Sequence, residues 1–341
     1  MRIGNFDLDQ HILVVAEIGN NHEGSISLAE ELIGRAAEAG VGAVKFQTFR
    51  TEDYISPGDA ERFCRLRSFE LRYEQFERLS EVARQNGVIF FSTPFDLQSA
   101  EALNPFVPAF KISSGDNTFY PLLETIARFG KPIILSTGLA NLARIRYAKA
   151  LVERVWSESG VQQNLALLHC VSSYPVPFQE ASLGAIRALG NEFHCTVGYS
   201  DHCTGINAAA LSVALGARIV EKHFTLDKNY SSLRDHHLSA DPGEMSELVQ
   251  RINHFVSLIG AQEKHPQPCE MKIASSVRRS IAAKRDIAKG AVVSWNDITW
   301  TRPGGGLSPG NEQMVLGKAL ASPVRRGEMI LPQMLVEAKS E

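Results

Sequence analysis

Gly198-Tyr-Ser-Asp-His202 and Val220-Glu-Lys-His-Phe224 each end an apolar run with an imidazole beside a hydroxyl or a carboxylate. Side chains on a strand alternate between two faces, so Glu221 and His223 point one way while Val220, Lys222 and Phe224 point the other. Two histidines on separate strands can share one metal ion with a carboxylate beside them. Equally, each can be a core histidine whose ring nitrogens are satisfied, and the choice depends on what surrounds them.

Six further apolar, β-rich runs lie upstream: Ile12 to Ile18, Ala43 to Thr48, Val88 to Ser92, Ala109 to Ser113, Pro132 to Thr137 and Leu165 to Cys170. The two quoted stretches fall in runs from Thr196 to Ser200 and from Arg218 to Phe224. Between the runs, Ser27 to Ala39, Ser68 to Asn86, Phe119 to Phe129, Leu142 to Ser157, Gly205 to Leu215 and Gly243 to Ile259 carry apolar residues at helical spacing. Gly40, Gly87, Gly130 and Gly216 sit where several of these stretches should end. Strand and helix in repeated alternation predict an α/β fold, a (β/α)8 TIM barrel over residues 1–260.

In such a barrel the interior is packed with side chains, and chemistry collects at the C-terminal strand ends, where the loops share one mouth. The polar residues follow that rule. Glu17 ends the first run, Lys45 and Gln47 the second, Ser92 and Thr93 the third, Lys111 and Ser114 the fourth, and Ser136 and Thr137 the fifth. His169 ends the sixth, Ser200 to His202 the seventh, and Glu221 with His223 the eighth. A doubly wound sheet shares the alternation but does not usually place polar groups at the ends of all its strands.

Hydrophobic residues make up 44% of the 341 and charged residues 21%, the composition of a globular protein with a large core. A net charge of −3 gives no general attraction for nucleic acid or an anionic membrane. The start, Met1 to Gln10, is mixed and acidic, unlike a secretory signal, and no apolar stretch reaches the roughly 20 residues that span a bilayer. The five cysteines are scattered and never form Cys-x-x-Cys, which argues against a disulfide framework or a structural zinc site and for a cytoplasmic setting.

After Gly260 the pattern changes. Residues 261–276 begin with a proline-containing stretch lacking periodicity and read as a linker, and residues 277–341 read as a small β-rich domain with runs at Ser280 to Ala283, Ala291 to Val293 and Met329 to Leu331. That tail carries +4, from ten basic and six acidic residues, against −7 for the remainder. A unit of roughly 65 residues has a thin core, so it is expected to dock on a barrel mouth, its own or a partner's.

Lys45 and Gln47, two apart, face the barrel axis together, as does Lys111. Buried lysines need an answering anion. Either Glu17 and Glu221 supply it inside the mouth, or a phosphate or carboxylate is held between the two ammonium groups, with Thr93, Ser114, Ser136 and Ser200 as hydroxyl donors. No Gly-x-x-x-x-Gly-Lys-Ser/Thr or Gly-x-Gly-x-x-Gly cradle for a nucleotide is present. Asn20-Asn-His-Glu-Gly24 reads equally as a solvated turn or a functional loop, His22, His169 and His194 read as structural or surface residues, and Asp235 after the eighth strand can hang over the mouth.

The motifs Ala16-Glu-Ile-Gly-Asn-Asn-His-Glu-Gly24, Val44-Lys-Phe-Gln47, Phe91-Ser-Thr-Pro-Phe95, Phe110-Lys-Ile-Ser-Ser-Gly-Asp116, Ile134-Leu-Ser-Thr-Gly138, Leu168-His-Cys170, Tyr174-Pro175, Gly198 to His202 and Val220-Glu-Lys-His-Phe-Thr225 together resemble the sialic acid (N-acetylneuraminate) synthase family. That family takes in legionaminic and pseudaminic acid synthases and spore-coat polysaccharide synthases. The tail, with Trp300-Thr-Arg-Pro-Gly304, resembles its antifreeze-like SAF domain.

The resemblance implies a condensation of phosphoenolpyruvate with an N-acyl hexosamine, N-acetylmannosamine or a related 2,4-diacetamido-trideoxyhexose, giving a nine-carbon 2-keto acid and phosphate. It implies His202 and His223 as ligands of a divalent metal, Mn2+ with Mg2+ or Co2+ as alternatives, that acts as a Lewis acid on the sugar aldehyde. By the same resemblance Lys45, Thr93, Lys111, Ser114, Ser136 and Ser200 hold phosphoenolpyruvate, and Glu17, Gln47, Tyr174 and Asp235 hold the open-chain sugar. Glu221 lies near the metal, Glu17 and Glu221 steer protons, and the enzyme is a domain-swapped homodimer in which Arg302 holds the acyl group in the partner's site.

Two departures limit what the resemblance implies: Ser172 stands where some members have Asn, which leaves one phosphoenolpyruvate contact absent or reshaped, and Ser231-Ser-Leu-Arg-Asp235 differs from the Gly-Pro-Asp or Gly-Ser-Asp forms of N-acetylmannosamine users, which leaves the acceptor open. A Schiff-base aldolase using Lys45 or Lys111, and a non-catalytic carbohydrate- or ice-binding protein, are the rival readings.

Overall fold

Eight parallel strands build the first unit: β1 Leu13–Gly19, β2 Ala43–Thr48, β3 Ile89–Pro94, β4 Phe110–Ile112, β5 Ile133–Ser136, β6 Leu165–Cys170, β7 Thr196–Asp201 and β8 Ile219–His223. In this computed structural model, which describes residues 1–261 and 263–338, the hydrogen-bonded order is β3-β2-β1-β8-β7-β6-β5-β4. Pairing of β8 with β1, from Ile219↔Leu13 to His223↔Glu17, joins the last strand to the first. The ring is thus a nearly closed TIM barrel, with β3 and β4 flanking its one gap in ladder bonding.

Strand alternation then sorts the residues into layers. Val14, Ala16 and Ile18 of β1 face outward into the large cluster shared with the helices. Leu13 and Val15 face inward, where Ala43, Phe91, Ala109, Ile134, Ala166, Leu168 and Ile219 join them in a separate interior cluster. A short antiparallel pair, Arg2–Ile3 with Phe6–Asp7, adds the buried Ile3 and Leu8 to that cluster. Two residues further along each strand the same inward face turns polar: Glu17, Lys45, Thr93, Lys111, Ser136, Cys170, Ser200 and Glu221. The apolar floor therefore excludes water from one end and leaves the other end for chemistry.

The outer helices match the helical spacing read from the sequence at Ile26–Glu38, Tyr120–Arg128, Leu142–Glu158 and Pro242–Ile259. The stretch from Ser68 to Asn86 holds the helix Tyr73–Gln85, while its first two residues belong to a separate upstream helix, Ala60–Phe69, that has its C-cap at Glu70 and lies outside the sequence reading. Leu97–Leu103 and Gly184–Phe193 are further helices that the sequence reading did not pick out. Among the described residues no helix is long and apolar enough to cross a membrane.

The second unit, Ala261–Glu341 by itself, differs from the reading in two respects. Of its expected runs only Ser280–Ala283 is a strand, with Val292 and Met329 making single bridges, and the second difference lies upstream. The stretch taken as a linker contains a helix, Pro268–Val277, opened by proline in its first turn and by a Gln267 N–H bonded to the Glu270 carboxylate at 2.7 Å. Proline is tolerated there because its missing N–H would be unpaired anyway. Strand Ser280–Ala283 pairs antiparallel with Ile298–Thr301, and Ala319–Leu320 with Leu335–Val336, around a small core of Ile281, Val293, Ile298, Val315 and Ile330. Gln262 of the expected linker, and Lys339 and Glu341 of the tail's charge count, lie outside the described residues.

Candidate active site

Lys45, Glu17 and His223 form one row across three strands, because register pairs Lys45 with Glu17 and Glu17 with His223. One step deeper, register pairs Ser200 with Glu221 on one side and with Cys170 on the other. Four ionisable groups are thereby packed where almost no water reaches: Glu17 is 2% exposed, Lys45 3%, Lys111 2% and Glu221 5%. They answer one another. Lys45 Nζ lies 2.7 Å from Glu17 and 3.6 Å from Glu221, and Lys111 Nζ lies 3.6 Å from Glu221.

The sharing is uneven, and this separates the two carboxylates. Burial would raise Glu221, but Lys111 and Lys45, with a 2.8 Å hydrogen bond from Ser200, hold it down at about 2. Glu17 has only Lys45 and the Gln47 amide, so burial and the negative charge of Glu221 raise it above the usual carboxylate range. Burial pulls Lys111 below its ordinary range, whereas Glu17 and Glu221 outweigh burial at Lys45 and hold it above.

The imidazoles converge over these charges, with ring centres of His202 and His223 5.4 Å apart. His202 Nδ1 donates to the Val171 carbonyl at 2.9 Å, which leaves Nε2 as a lone pair. His223 Nδ1 is buried without a partner. Burial, with His223 nearby, lowers His202 to about 4, and burial, with Lys45 nearby, lowers His223 to about 3. Two neutral imidazoles on one ion, with metal–nitrogen distances of about 2.1 Å, would place their ring centres about 5 Å apart, so this pair fits the group. Among the described residues no three His, Cys, Asp or Glu side chains gather closely enough to hold an ion by themselves.

Hydroxyls line the opposite wall. Thr93 Oγ1 accepts from Lys45 Nζ at 3.3 Å, and Ser114 Oγ accepts from the Gly138 N–H at 3.0 Å. Ser136 and Ser172 carry buried hydroxyls without partners. Gly138 packs tightly against this wall, since a Cβ there would lie 2.5 Å from Ser172 Oγ and 2.6 Å from Ser114 Oγ. Tyr174 lies against His202, ring centres 4.1 Å apart, with the Arg234 guanidinium 4.7 Å from the centre of the Tyr174 ring. Asp235 lines the same cleft, its carboxyl raised by burial despite Arg234 beside it. The whole cleft measures about 880 Å³ and opens at the C-terminal strand ends.

Of the residues singled out from sequence, Glu17, Lys45, Gln47, Thr93, Lys111, Ser114, Ser136, Ser172, Tyr174, Ser200, His202, Glu221, His223 and Asp235 all line this cleft. Arg302 belongs to the second unit, where its Nε donates to the Val277 carbonyl at 2.8 Å. Of three other histidines, His22 Nδ1 accepts from the Gly24 N–H while its Nε2 is buried without a partner, His169 bonds the Ala181 carbonyl, and His194 caps a helix.

Asn20 is a lining residue whose role the sequence left open. Its Nδ2 donates to Gln47 Oε1 at 2.9 Å, and Gln47 Nε2 donates to Glu17 Oε1 at 3.1 Å. With its Nε2 given to Glu17, Gln47 presents its carbonyl oxygen to the Asn20 amide. The Ala60–Phe69 helix adds Arg62, Arg65, Leu66 and Phe69 to the rim, at spacings that share one helical face. The i, i+3, i+4, i+7 pattern was the available signal for that face.

A (β/α)8 enzyme whose mouth buries two lysines, two carboxylates and two imidazoles, followed by a small β unit, is the class that fold and site define. The chain belongs to the NeuB family, whose model matches residues 32–264, and the SAF domain model matches residues 278–336. An uncharacterized protein of Methanocaldococcus jannaschii is 44% identical over 93% of this chain and 92% of its own. The N,N'-diacetyllegionaminic acid synthase of Legionella pneumophila is 39% identical over 93% of each. The crystal structure of the N-acetylneuraminic acid (sialic acid) synthetase from Leptospira borgpetersenii matches with a TM-score of 0.76 at 33% identity, over 80% of this chain and 94% of that one. Family membership makes the chain a phosphoenolpyruvate-dependent nonulosonic acid synthase, a transferase that forms a carbon–carbon bond.

Proposed function

We propose that the enzyme condenses phosphoenolpyruvate with a 2,4-diacetamido-trideoxyhexose to give a legionaminic-type nine-carbon 2-keto acid. The single observation that carries the chemistry is the pair of buried carboxylates driven apart in acidity beside two ammonium groups and two free imidazole lone pairs. The acceptor is supported by identities of 39% and 38% to two N,N'-diacetyllegionaminic acid synthases that span 93% of the chain, against 32% for a pseudaminic acid synthase.

In this reading Lys45 and Lys111 hold the carboxylate and phosphate of phosphoenolpyruvate, with Thr93, Ser114, Ser136, Ser172 and Ser200 donating hydrogen bonds. His202 and His223 hold the divalent ion, Mn2+ with Mg2+ or Co2+ as alternatives. When bound, the ion supplies Lewis acidity toward the acceptor's aldehyde carbonyl. Glu17, Gln47, Tyr174 and Asp235 orient the open-chain sugar so that its C1 faces C3 of phosphoenolpyruvate.

Carbon–carbon bond formation leaves positive character at phosphoenolpyruvate C2, which the ionised Glu221 stabilises. Water adds at C2, phosphate leaves by C–O cleavage, and the keto acid forms. Glu17, with its raised pKa, exchanges the protons these steps require, while Glu221 stays charged throughout. The family resemblance also carries our proposal of a domain-swapped homodimer in which Arg302 holds the acyl group in the partner's site.

Phosphate release and product mass, measured across N-acetylmannosamine, its 6-phosphate and the 2,4-diacetamido-trideoxyhexoses, test the acceptor. The diacetamido sugar of legionaminic configuration should give the highest kcat/KM. Preference for N-acetylmannosamine by tenfold or more, roughly 1.4 kcal/mol of transition-state binding, would refute that choice.

A further inference from the structure

Asp201 and Lys222 precede His202 and His223 by one residue on the adjacent strands β7 and β8, and are paired in register. Strand alternation turns both away from the mouth, and the side chains are fully buried, each 0% exposed, with Nζ 3.1 Å from Oδ2. Lys222 Nζ also donates to the Cys203 carbonyl. Asp201 Oδ1 accepts from the Cys203 N–H at 2.9 Å and from the Tyr199 hydroxyl at 3.0 Å. The residue that follows His202 is therefore held at both its N–H and its carbonyl, one by each member of the pair.

An ion pair this deep is a poor stabiliser, because desolvation offsets most of the attraction and an apolar pair of similar volume is often as good or better. What an apolar pair lacks is direction. Lys222, adjacent to His223, and Asp201, adjacent to His202, join the two strands by directed bonds at the level where the imidazoles emerge. The turn after Asp201 then presents the His202 ring so that its Nδ1–H meets the Val171 carbonyl.

We propose that the Asp201–Lys222 pair is a positioning device that sets the spacing of His202 and His223 and the tautomer of His202, and so shapes the ion site the two rings make. The ion part of this rests on reading those rings as ligands; the tautomer part does not.

The test uses full-length Asp201→Leu/Lys222→Met, which keeps the volume and removes the charges together. Titration with Mn2+ alone, followed by electron paramagnetic resonance, should show binding weakened about tenfold or more. The thermal midpoint should be preserved, and phosphoenolpyruvate affinity without metal should stay within about twofold, as expected for a group that touches neither substrate. A folded double variant that binds Mn2+ as tightly as the native protein overturns the proposal. If that variant does not fold, Tyr199→Phe takes its place: weaker Mn2+ binding supports the proposal and unchanged binding overturns it.

Nitrogen-15 histidine spectra of the metal-free protein add a readout that needs no ion. The native protein should show His202 protonated at Nδ1 alone, and the variant a mixture of tautomers. A fixed Nδ1–H in the variant overturns the proposal. Native protein that binds no Mn2+ would refute the ligand reading, while the histidine spectra would still decide the role of the pair.

Discussion

Glu17 and Glu221 draw on one ammonium in common, and only Glu221 has a second. From that inequality follows the division of labour proposed for them: Glu221 stays ionised and Glu17 carries the proton. Glu17→Gln preserves size and a hydrogen-bonding partner for Gln47 but removes the exchangeable acid. It should lower kcat by about 10²- to 10⁴-fold with phosphoenolpyruvate binding changed only a few-fold. Near-native turnover in steady-state phosphate assays would take Glu17 out of proton transfer. Most of these side chains were legible from sequence because each ends a strand at an inward position, where a buried charge needs a partner, either a neighbouring side chain or a bound ion. Asn20 was less so: a polar residue in a turn gives no sign that its amide reaches Gln47, which is 27 residues away. The difference in acidity between the two carboxylates was equally hidden, since it depends on distances to Lys45 and Lys111 rather than on residue type.

The loop after β5 depends on the absence of a side chain. Gly138→Ala would drive a methyl group into Ser114 and Ser172, the wall proposed to hold phosphoenolpyruvate. We expect KM for phosphoenolpyruvate to rise more than KM for the acceptor, roughly tenfold if about one good hydrogen bond to a charged group is lost. Equal rises for both substrates would separate this loop from the phosphate. Gly19 is constrained similarly: its φ is 53° and a Cβ would lie 3.0 Å from Glu17 Oε1. At this scale all eight strands were readable as short apolar runs bounded by turns and alternating with helical stretches, since their length rather than any period sets them apart from helices. The helix Leu97–Leu103 has too few turns for a 3.6-residue period to stand out, and Gly184–Phe193 begins and is interrupted with glycine, at Gly184 and Gly190, which reads as turn. The helix Pro268–Val277 was masked by two prolines just before and at its start, which punctuate a sequence whether they end a structure or open one.

Across the molecule, burying neutral imidazoles ties stability to pH. His22 and His202 are lowered to about 4 and His223 to about 3, each from an ordinary 6.5 and chiefly by burial. Between those values the unfolded chain binds more protons than the folded one, so stability is fully present above pH 6.5 and declines as pH falls toward 4. Glu17 and Asp235, raised by burial, act in the opposite sense and soften the slope. Urea midpoints of metal-free protein should therefore be lower at pH 5 than at pH 7, and an unchanged or higher midpoint at pH 5 would contradict this balance. The division into Met1–Gly260 and Ala261–Glu341 gives Arg302 a separate test. If the second unit serves a partner's mouth, Arg302→Ala should raise KM for the acceptor more than KM for phosphoenolpyruvate, and equal effects would remove it from that role.

The most direct measurement supplies carbon-13-labelled phosphoenolpyruvate with the diacetamido sugar and follows phosphate, organic product and borohydride-trapped protein in one reaction. The account predicts a nine-carbon keto acid carrying all the label, equimolar phosphate, no lysine adduct, and turnover that stops on chelation and returns with Mn2+. Phosphate released without the sugar, or a labelled adduct on Lys45 or Lys111 formed without metal, would contradict it.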